Sequence, residues 1–208
     1  MPPLDFLISA FVTLVIVLDP IGLAPTFVAV THGMPPVARR QVALRASLIA
    51  AAVLAGTALI GDYLLTAVGI SLPAFRIAGG LLLFSIASEM VFGVRIQRQS
   101  AEAEQALEQR VRNIAAFPLA IPLMAGPGAI TATVLLSGRA AGQPALLAGL
   151  IAVAVLGVAL CLVAFLAASR IEKLLGITGN VVLSRLLGVL LAAMAVQFVV
   201  DGVRALLT

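Results

Sequence analysis

Apolar residues run through this chain in long stretches, and sparse charged positions punctuate them. A stretch of about 20 residues, rising about 1.5 Å per residue, is what a helix needs to cross the hydrocarbon core of a bilayer. Six stretches qualify, at residues 4–30, 42–68, 72–93, 114–137, 144–169 and 180–206. The second and third are separated only by Gly69-Ile70-Ser71-Leu72-Pro73, where glycine and proline end one helix and restart the next, so the two form a helical hairpin. The one hydrophilic stretch, 94–113, carries Arg95, Arg98, Glu102, Glu104, Glu108, Arg110 and Arg112. Its Glu104/Glu108 and Gln105/Gln109 spacing suits a short solvated helix without chemistry of its own. The predicted organisation is all-α: a three-helix unit over 1–93, a connector over 94–113 and a second three-helix unit over 114–208.

Two of the six spans carry helix breakers at membrane depth. The first contains Leu18-Asp19-Pro20-Ile21-Gly22-Leu23-Ala24-Pro25-Thr26, and the fourth contains Pro122-Leu123-Met124-Ala125-Gly126-Pro127-Gly128-Ala129-Ile130-Thr131. Proline removes a backbone donor and glycine frees the backbone, so each span is predicted to split into two half-helices. Pro20 and Pro127 suit the first position of the second half, with Asp19 and Gly126 as the preceding caps. The third and sixth spans echo each other in Arg76-Ile77-Ala78-Gly79-Gly80 and Arg185-Leu186-Leu187-Gly188, 109 positions apart, while the two prolines are 107 apart. A unit with an odd number of spans inverts its copy. Inverted repeats with discontinuous helices near the midplane are a construction of secondary transporters, which bind substrate at the breaks. The competing reading is that the Arg-Gly motif is cheap in a Leu- and Gly-rich chain and that the prolines only kink their helices.

Composition agrees with lipid as the solvent. Of 208 residues 62% are hydrophobic and 11% charged, against roughly 25% charged in a soluble domain. The net charge of +4 is a thin surplus on a nearly uncharged chain, with no basic patch that could track nucleic acid. Cys161 is the only cysteine and His32 the only histidine, so no internal disulfide, zinc cluster, Cys/His dyad or Ser/His triad can be assembled. Cys161 reads as a small buried hydrophobe and His32 as part of a turn. No metal, cofactor or catalytic residue is expected, and the chain is read as no enzyme. Its first residues lack the positive region of a secretory signal, so the first span is expected to be retained.

Basic residues divide ten against three between the two sides of the predicted spans, with Arg76, Arg139 and Arg204 on the poorer side. Short cytoplasmic loops are enriched in Lys and Arg, which predicts both chain ends on the outer side.

Four acidic residues fall within or at the ends of spans: Asp19, Asp62, Glu89 and Asp201. A carboxylate in hydrocarbon needs a partner or a watery cavity. Asp62 and Asp201 lie near the outer ends of their helices, where structural roles suffice, and Glu89 lies within reach of Arg95. Asp19 has two readings: it caps the half-helix beginning at Pro20 through an N–H at or after Gly22, or it meets a substrate ammonium or a proton as access alternates. The fourth-span break offers the complement, since the backbone N–H groups of Gly128, Ala129 and Ile130 open a half-helix and suit an anion. Thr131 adds a hydroxyl, and Gln197 either contributes an amide or joins helices. An aspartate for an amine opposite a helix end for a carboxylate suits an amino acid. The candidate substrate-binding set is Asp19, Pro20, Gly22, Gly126, Pro127, Gly128, Ala129, Thr131 and Gln197.

In these segments the chain resembles the MarC/SnatA family of six-span inner-membrane proteins along its full length. The resemblance rests on Asp19-Pro20-Ile21-Gly22 with Pro25, Phe75-Arg76-Ile77-Ala78-Gly79-Gly80, the run from Pro122 to Thr131, Arg185 to Gly188, Gln197 and Asp201-Gly202. It implies an inverted-repeat fold with broken first and fourth helices and, for the SnatA branch, transport of small neutral amino acids such as glycine, alanine or threonine. Small residues around both breaks suit a small pocket, and 5% aromatic residues with no tryptophan give no support to a drug pocket. Gly126-Pro127-Gly128 lacks the Lys-Ser/Thr of a phosphate loop, so a gradient is the expected energy source. The alternatives are a transporter or channel for another small solute, a membrane enzyme, and an assembly subunit that binds no solute. The enzyme would require an Arg/His/Glu cluster or a Ser/His pair within the spans, and the sequence offers neither.

Overall fold

Every stretch that the hydropathy pattern marks as membrane-spanning is helical in the computed structural model, which describes residues 3–95, 97–99, 101 and 114–207. Without water, a helix is the element that satisfies its own backbone within one segment. The elements are α1 (Pro3–Leu18), α2 (Leu23–Val30), α3 (Pro36–Ala67), α4 (Leu72–Phe92), α5 (Ala115–Met124), α6 (Pro127–Arg139), α7 (Pro144–Leu166) and α8 (Ala168–Leu207). No strand occurs among the described residues.

Four helices are long and apolar enough to cross a membrane alone: α3, α4, α7 and the Thr178–Leu207 part of α8. Six spans result if each bent pair counts as one, with α1 and α2 at 44° and α5 and α6 at 56°. The chain is an integral, multi-pass, all-helical membrane protein. At most about a third of the apolar window of each long helix is buried, so these helices face outward over most of their surface. The halves of the broken spans are the enclosed ones, and α6 is buried almost throughout from Gly128 to Gly138. Two buried threonine hydroxyls turn back onto their own helices, Thr133 Oγ1 onto the Ala129 carbonyl at 2.7 Å and Thr31 Oγ1 onto that of Phe27 at 2.7 Å.

The α3–α4 hairpin forms where the sequence places it. Gly69 takes a left-handed φ of 73°, the Ser71 hydroxyl accepts the Ala74 N–H at 3.3 Å, and Pro73 lies in the first turn of α4. Three boundaries differ from the sequence reading. Helix α3 starts at Pro36 rather than 42, because Arg39 and Arg40 extend the helix past the apolar core while their long side chains can reach polar surroundings. Helix α8 starts at Ala168, and Gly176 (φ 58°, ψ −174°) breaks a short polar piece from the apolar span. The third concerns the connector. Gly93 closes α4 at φ 78°, and helix resumes directly after it, at 94–95, 97–99 and 101, carrying Arg95 and Gln99 into the protein, 6% and 4% exposed, where a solvated stretch was expected. The helix expected around Glu104, Gln105, Glu108 and Gln109 lies outside the described residues.

Helices α4 and α8 make the most extensive contact of any pair. Their backbones approach at two glycines. A Cβ on Gly80 would stand 2.7 Å from the Ala195 carbonyl oxygen and 2.7 Å from Val199 Cγ2. One on Gly188 would stand 3.1 Å from the Ala87 carbonyl oxygen, 3.0 Å from Val91 Cγ2 and 2.8 Å from Met90 Cβ. Small residues let membrane helices pack on van der Waals contact where lipid gives no hydrophobic drive. Gly56 on α3 faces open space. Gly80→Ala and Gly188→Ala are therefore expected to cost about 1–3 kcal/mol each, the usual penalty of overpacking. Gly56→Ala is expected to be neutral or to stabilise by up to about 1 kcal/mol. Thermal unfolding of the three variants in one detergent checks the ranking, which fails if Gly56→Ala is the most damaging.

Candidate functional site

Helix α1 ends because Asp19 adopts a left-handed φ of 50°, which Asp tolerates better than most residues, and because Pro20 brings no N–H. Asp19 is 3% exposed, and its Oδ1 accepts the Gly22 N–H at 3.0 Å. The capping reading of Asp19 thus takes physical form, with a difference: regular helix resumes at Leu23, not at Pro20, after a turn in which Leu23 N–H donates to the Asp19 carbonyl at 3.1 Å. Gly22 is required here, since a Cβ on it would overlap the Asp19 carboxylate.

The second break is built from glycine and proline alone. Segment α5 winds more widely than an α-helix, with extended backbone at Phe117 and Ile121, and closes with Ala125 N–H on the Ala120 carbonyl at 2.8 Å. Gly126 is extended (φ −82°, ψ 177°) and Pro127 opens α6. A Cβ on Gly126 would overlap the Pro122 carbonyl oxygen, so the chain folds back on itself too closely for any side chain. Of the three amides that the sequence assigned to an anion, Ile130 N–H is committed to the Gly126 carbonyl at 3.0 Å. Gly128 and Ala129 belong to the first turn, whose amides have no partner within the helix.

The two breaks meet. A Cβ on Gly128 would lie 3.3 Å from Val17 Cγ1 and 2.6 Å from Ile86 Cδ1, which sets the start of α6 against the end of α1 and the side of α4. A cavity of about 160 Å³ opens there, lined by residues 126–129 of the second break, Val17 of α1, Ile86 of α4, the end of α5, and Arg95, Arg98 and Gln99 of the helical segment after Gly93. Arg95 is the functional candidate that the sequence reading missed. It reaches back from that helical segment to donate through Nη2 to the Val17 carbonyl at 2.9 Å and through Nη1 to Met90 Sδ at 3.3 Å, and its buried Nε has no partner. Arg95 and Asp19 are close enough to attract each other electrostatically. Negative carbonyls at the end of α1, positive amides at the start of α6 and a guanidinium therefore converge on one small space.

The other candidates lie elsewhere. Asp19, Pro20 and Gly22 do not line the cavity, although Val17, two residues before Asp19, does. Thr131 is buried against Gly79 of α4, where its Cγ2 would be 2.7 Å from an added Cβ. Gln197 stands far along α8, where its Nε2 donates to Asp201 Oδ1 at 2.7 Å, and Asp201 Oδ2 pairs with Arg139 at 2.9 Å. Glu89 pairs with Arg98 at 2.9 Å, not with Arg95, because the turn at Gly93 sends Arg95 inward and leaves Arg98 on the surface beside it. Among the described residues no group of three or more His, Cys, Asp or Glu side chains could hold a metal.

Comparison with known proteins returns one family. The model described as MarC family integral membrane protein matches residues 4–207. UPF0056 membrane protein MJ1677 of Methanocaldococcus jannaschii is 36% identical over 98% of both chains. UPF0056 membrane protein YhcE of Escherichia coli is 34% identical, covering 94% of this chain and 91% of its own. A UPF0056 membrane protein of Aquifex aeolicus is 35% identical over 96% and 93%. No solved structure matches the chain.

The first break yields a stability test that separates cap from charge. Asp19→Ala removes the acceptor for Gly22 N–H and places alanine at positive φ, and both losses destabilise. Asp19→Asn keeps an acceptor and tolerates the same backbone. The alanine variant is expected to lose about 0.5–2 kcal/mol more than the asparagine variant, read as the difference in thermal midpoint; equal losses would show that the charge, not the cap, holds the break.

Proposed function

The chain belongs to the MarC family of integral membrane proteins, and from that premise we propose that it is a secondary transporter moving small neutral amino acids, of the glycine, alanine and threonine class, across the inner membrane by alternating access. The observation that carries this reading is the cavity where the end of α1 faces the start of α6. Opposed half-helix ends offer partial negative charge on one side and partial positive charge on the other, which suits a zwitterion. The carboxylate belongs at the Gly128 and Ala129 amides with Arg95, and the ammonium toward the α1 carbonyls and the field of Asp19. The volume of about 160 Å³ supports a small substrate: an engineered apolar cavity of about 150 Å³ takes benzene, of about the bulk of alanine or threonine. The site binds and passes its ligand, with no covalent step.

We read the scaffold as two inverted three-helix repeats. Gly80, Ala87 and Val91 of α4 stand 108 positions before Gly188, Ala195 and Val199 of α8. Their contacts are reciprocal: Gly80 on Ala195 and Val199, Gly188 on Ala87 and Val91. This reciprocity supports the repeat, with the broken spans as its mobile members. We orient the face with both chain ends outward, since the opposite face carries the larger share of basic residues. The break cavity then adjoins the cytoplasmic connector through Arg95, Arg98 and Gln99. A gradient drives the cycle, and Asp19 is the group we assign to proton exchange.

Proteoliposome uptake of radiolabelled glycine, alanine and threonine tests the reading. Saturable uptake is expected for wild type. Arg95→Gln is expected to weaken it about tenfold or more, the worth of a charge-assisted hydrogen bond. Asp19→Asn is expected to abolish its response to an imposed proton gradient. Folded wild-type protein that takes up none of the three would sink the amino-acid reading.

A further inference from the structure

The face that carries the chain ends has its own cavity, of about 750 Å³, which shares no lining residue with the break cavity. Its wall gathers all three basic residues that the sequence assigns to that side: Arg76 from α4, Arg139 from the end of α6 and Arg204 from α8. The only acidic residue in the wall is Asp201, and the remaining lining groups are uncharged. Three guanidinium groups and one carboxylate make this wall predominantly basic at the rim of an apolar bundle.

That carboxylate is already engaged. Asp201 Oδ2 accepts from Arg139 at 2.9 Å and Oδ1 from Gln197 at 2.7 Å, while Arg139 also lies over the Phe198 ring at 4.9 Å. Arg139 is thus neutralised and fixed. Arg76, on the neighbouring helix, is close enough to Arg139 to repel it, and its buried Nε makes no hydrogen bond. A buried guanidinium N–H without an acceptor is costly, and native structures resolve such groups with a partner. An oxyanion beside Arg76 would supply the acceptor and offset the like-charge repulsion together. Guanidinium is the side chain whose fork matches carboxylate and phosphate.

We propose that this cavity is a second, anion-selective site, which binds an oxyanion head, carboxylate or phosphate, with Arg76 as its principal donor. The volume, several times that of the break cavity, accommodates either a free anion or the phosphodiester headgroup of an anionic lipid. The site stands on its own residues and does not depend on what the break cavity carries.

Binding to the full-length protein in phosphatidylcholine nanodiscs tests it. In one arm inorganic phosphate and acetate are titrated and read by calorimetry. In the other the nanodiscs contain phosphatidylglycerol, and lipid retained on the protein is counted by native mass spectrometry. Saturable binding in the first arm identifies a soluble anion, and selective retention in the second alone identifies a headgroup. In either case Arg76→Gln is expected to weaken binding about tenfold or more. Arg204→Gln serves as the second variant should Arg76→Gln fail to fold, with the same expectation. No binding in either arm by folded wild type, or binding that the folded variant leaves unchanged, overturns the proposal.

Discussion

Two unwound breaks inside an apolar helical bundle impose the constraint around which this structure is arranged. Hydrocarbon offers no hydrogen bonds, so each interrupted helix has to find partners for its freed amides and carbonyls within the protein. At the first break the chain supplies them locally, with the Asp19 carboxylate on Gly22 N–H and the Asp19 carbonyl on Leu23 N–H. A side chain distant in sequence completes the set, when Arg95 donates to the Val17 carbonyl. The same arginine is close enough to attract the Asp19 carboxyl group, so one residue bears on the first break both electrostatically and by hydrogen bonding.

Enclosure of the breaks follows from how their neighbours pack. Helices α4 and α8 approach at Gly80 and Gly188 until backbone touches side chain. That approach holds α4 rigidly on one side while its opposite side, at Gly79 and Ile86, receives Thr131 and Gly128 of α6. A methyl group at any of these four glycines would separate helices whose contact encloses the broken halves. The outward faces of the long helices, by contrast, keep large apolar side chains exposed, as lipid permits.

Much of this was legible in the sequence, and the parts that were not have identifiable physical causes. Hydropathy marked the spans because lipid penalises every exception to it, and Pro20 and Pro127 marked the breaks because proline cannot donate. Arg95 was illegible. Its neighbours, from Arg98 to Arg112, are charged enough to read as a solvated stretch, and only the left-handed turn at Gly93 directs it inward. The partner of Glu89 was misread for the same reason, since sequence distance favours Arg95 and the turn delivers Arg98. Gln197 and Asp201 illustrate a different gap. Their four-residue spacing puts them on one helical face, which sequence shows, but Arg139 as their third member comes from another helix 62 positions from Asp201.

The residue before each proline explains why the cavity lies at one break and not evenly at both. Asp19 precedes Pro20 and carries its own acceptor, so the amide that follows is satisfied by the chain and has nothing left to offer a ligand. Gly126 precedes Pro127 and carries no side chain, and the Pro122 carbonyl stands where one would be. The first-turn amides of Gly128 and Ala129 are therefore left without a cap from the residue before the helix. In hydrocarbon that vacancy is unfavourable unless something polar enters it, and the void beside it is lined by Arg95. A self-capped break supplies negative field and an uncapped one supplies donors. Their contact through Val17 and Gly128 is why the proposed transport reading takes the second break as the binding side and the first as its counter-charge.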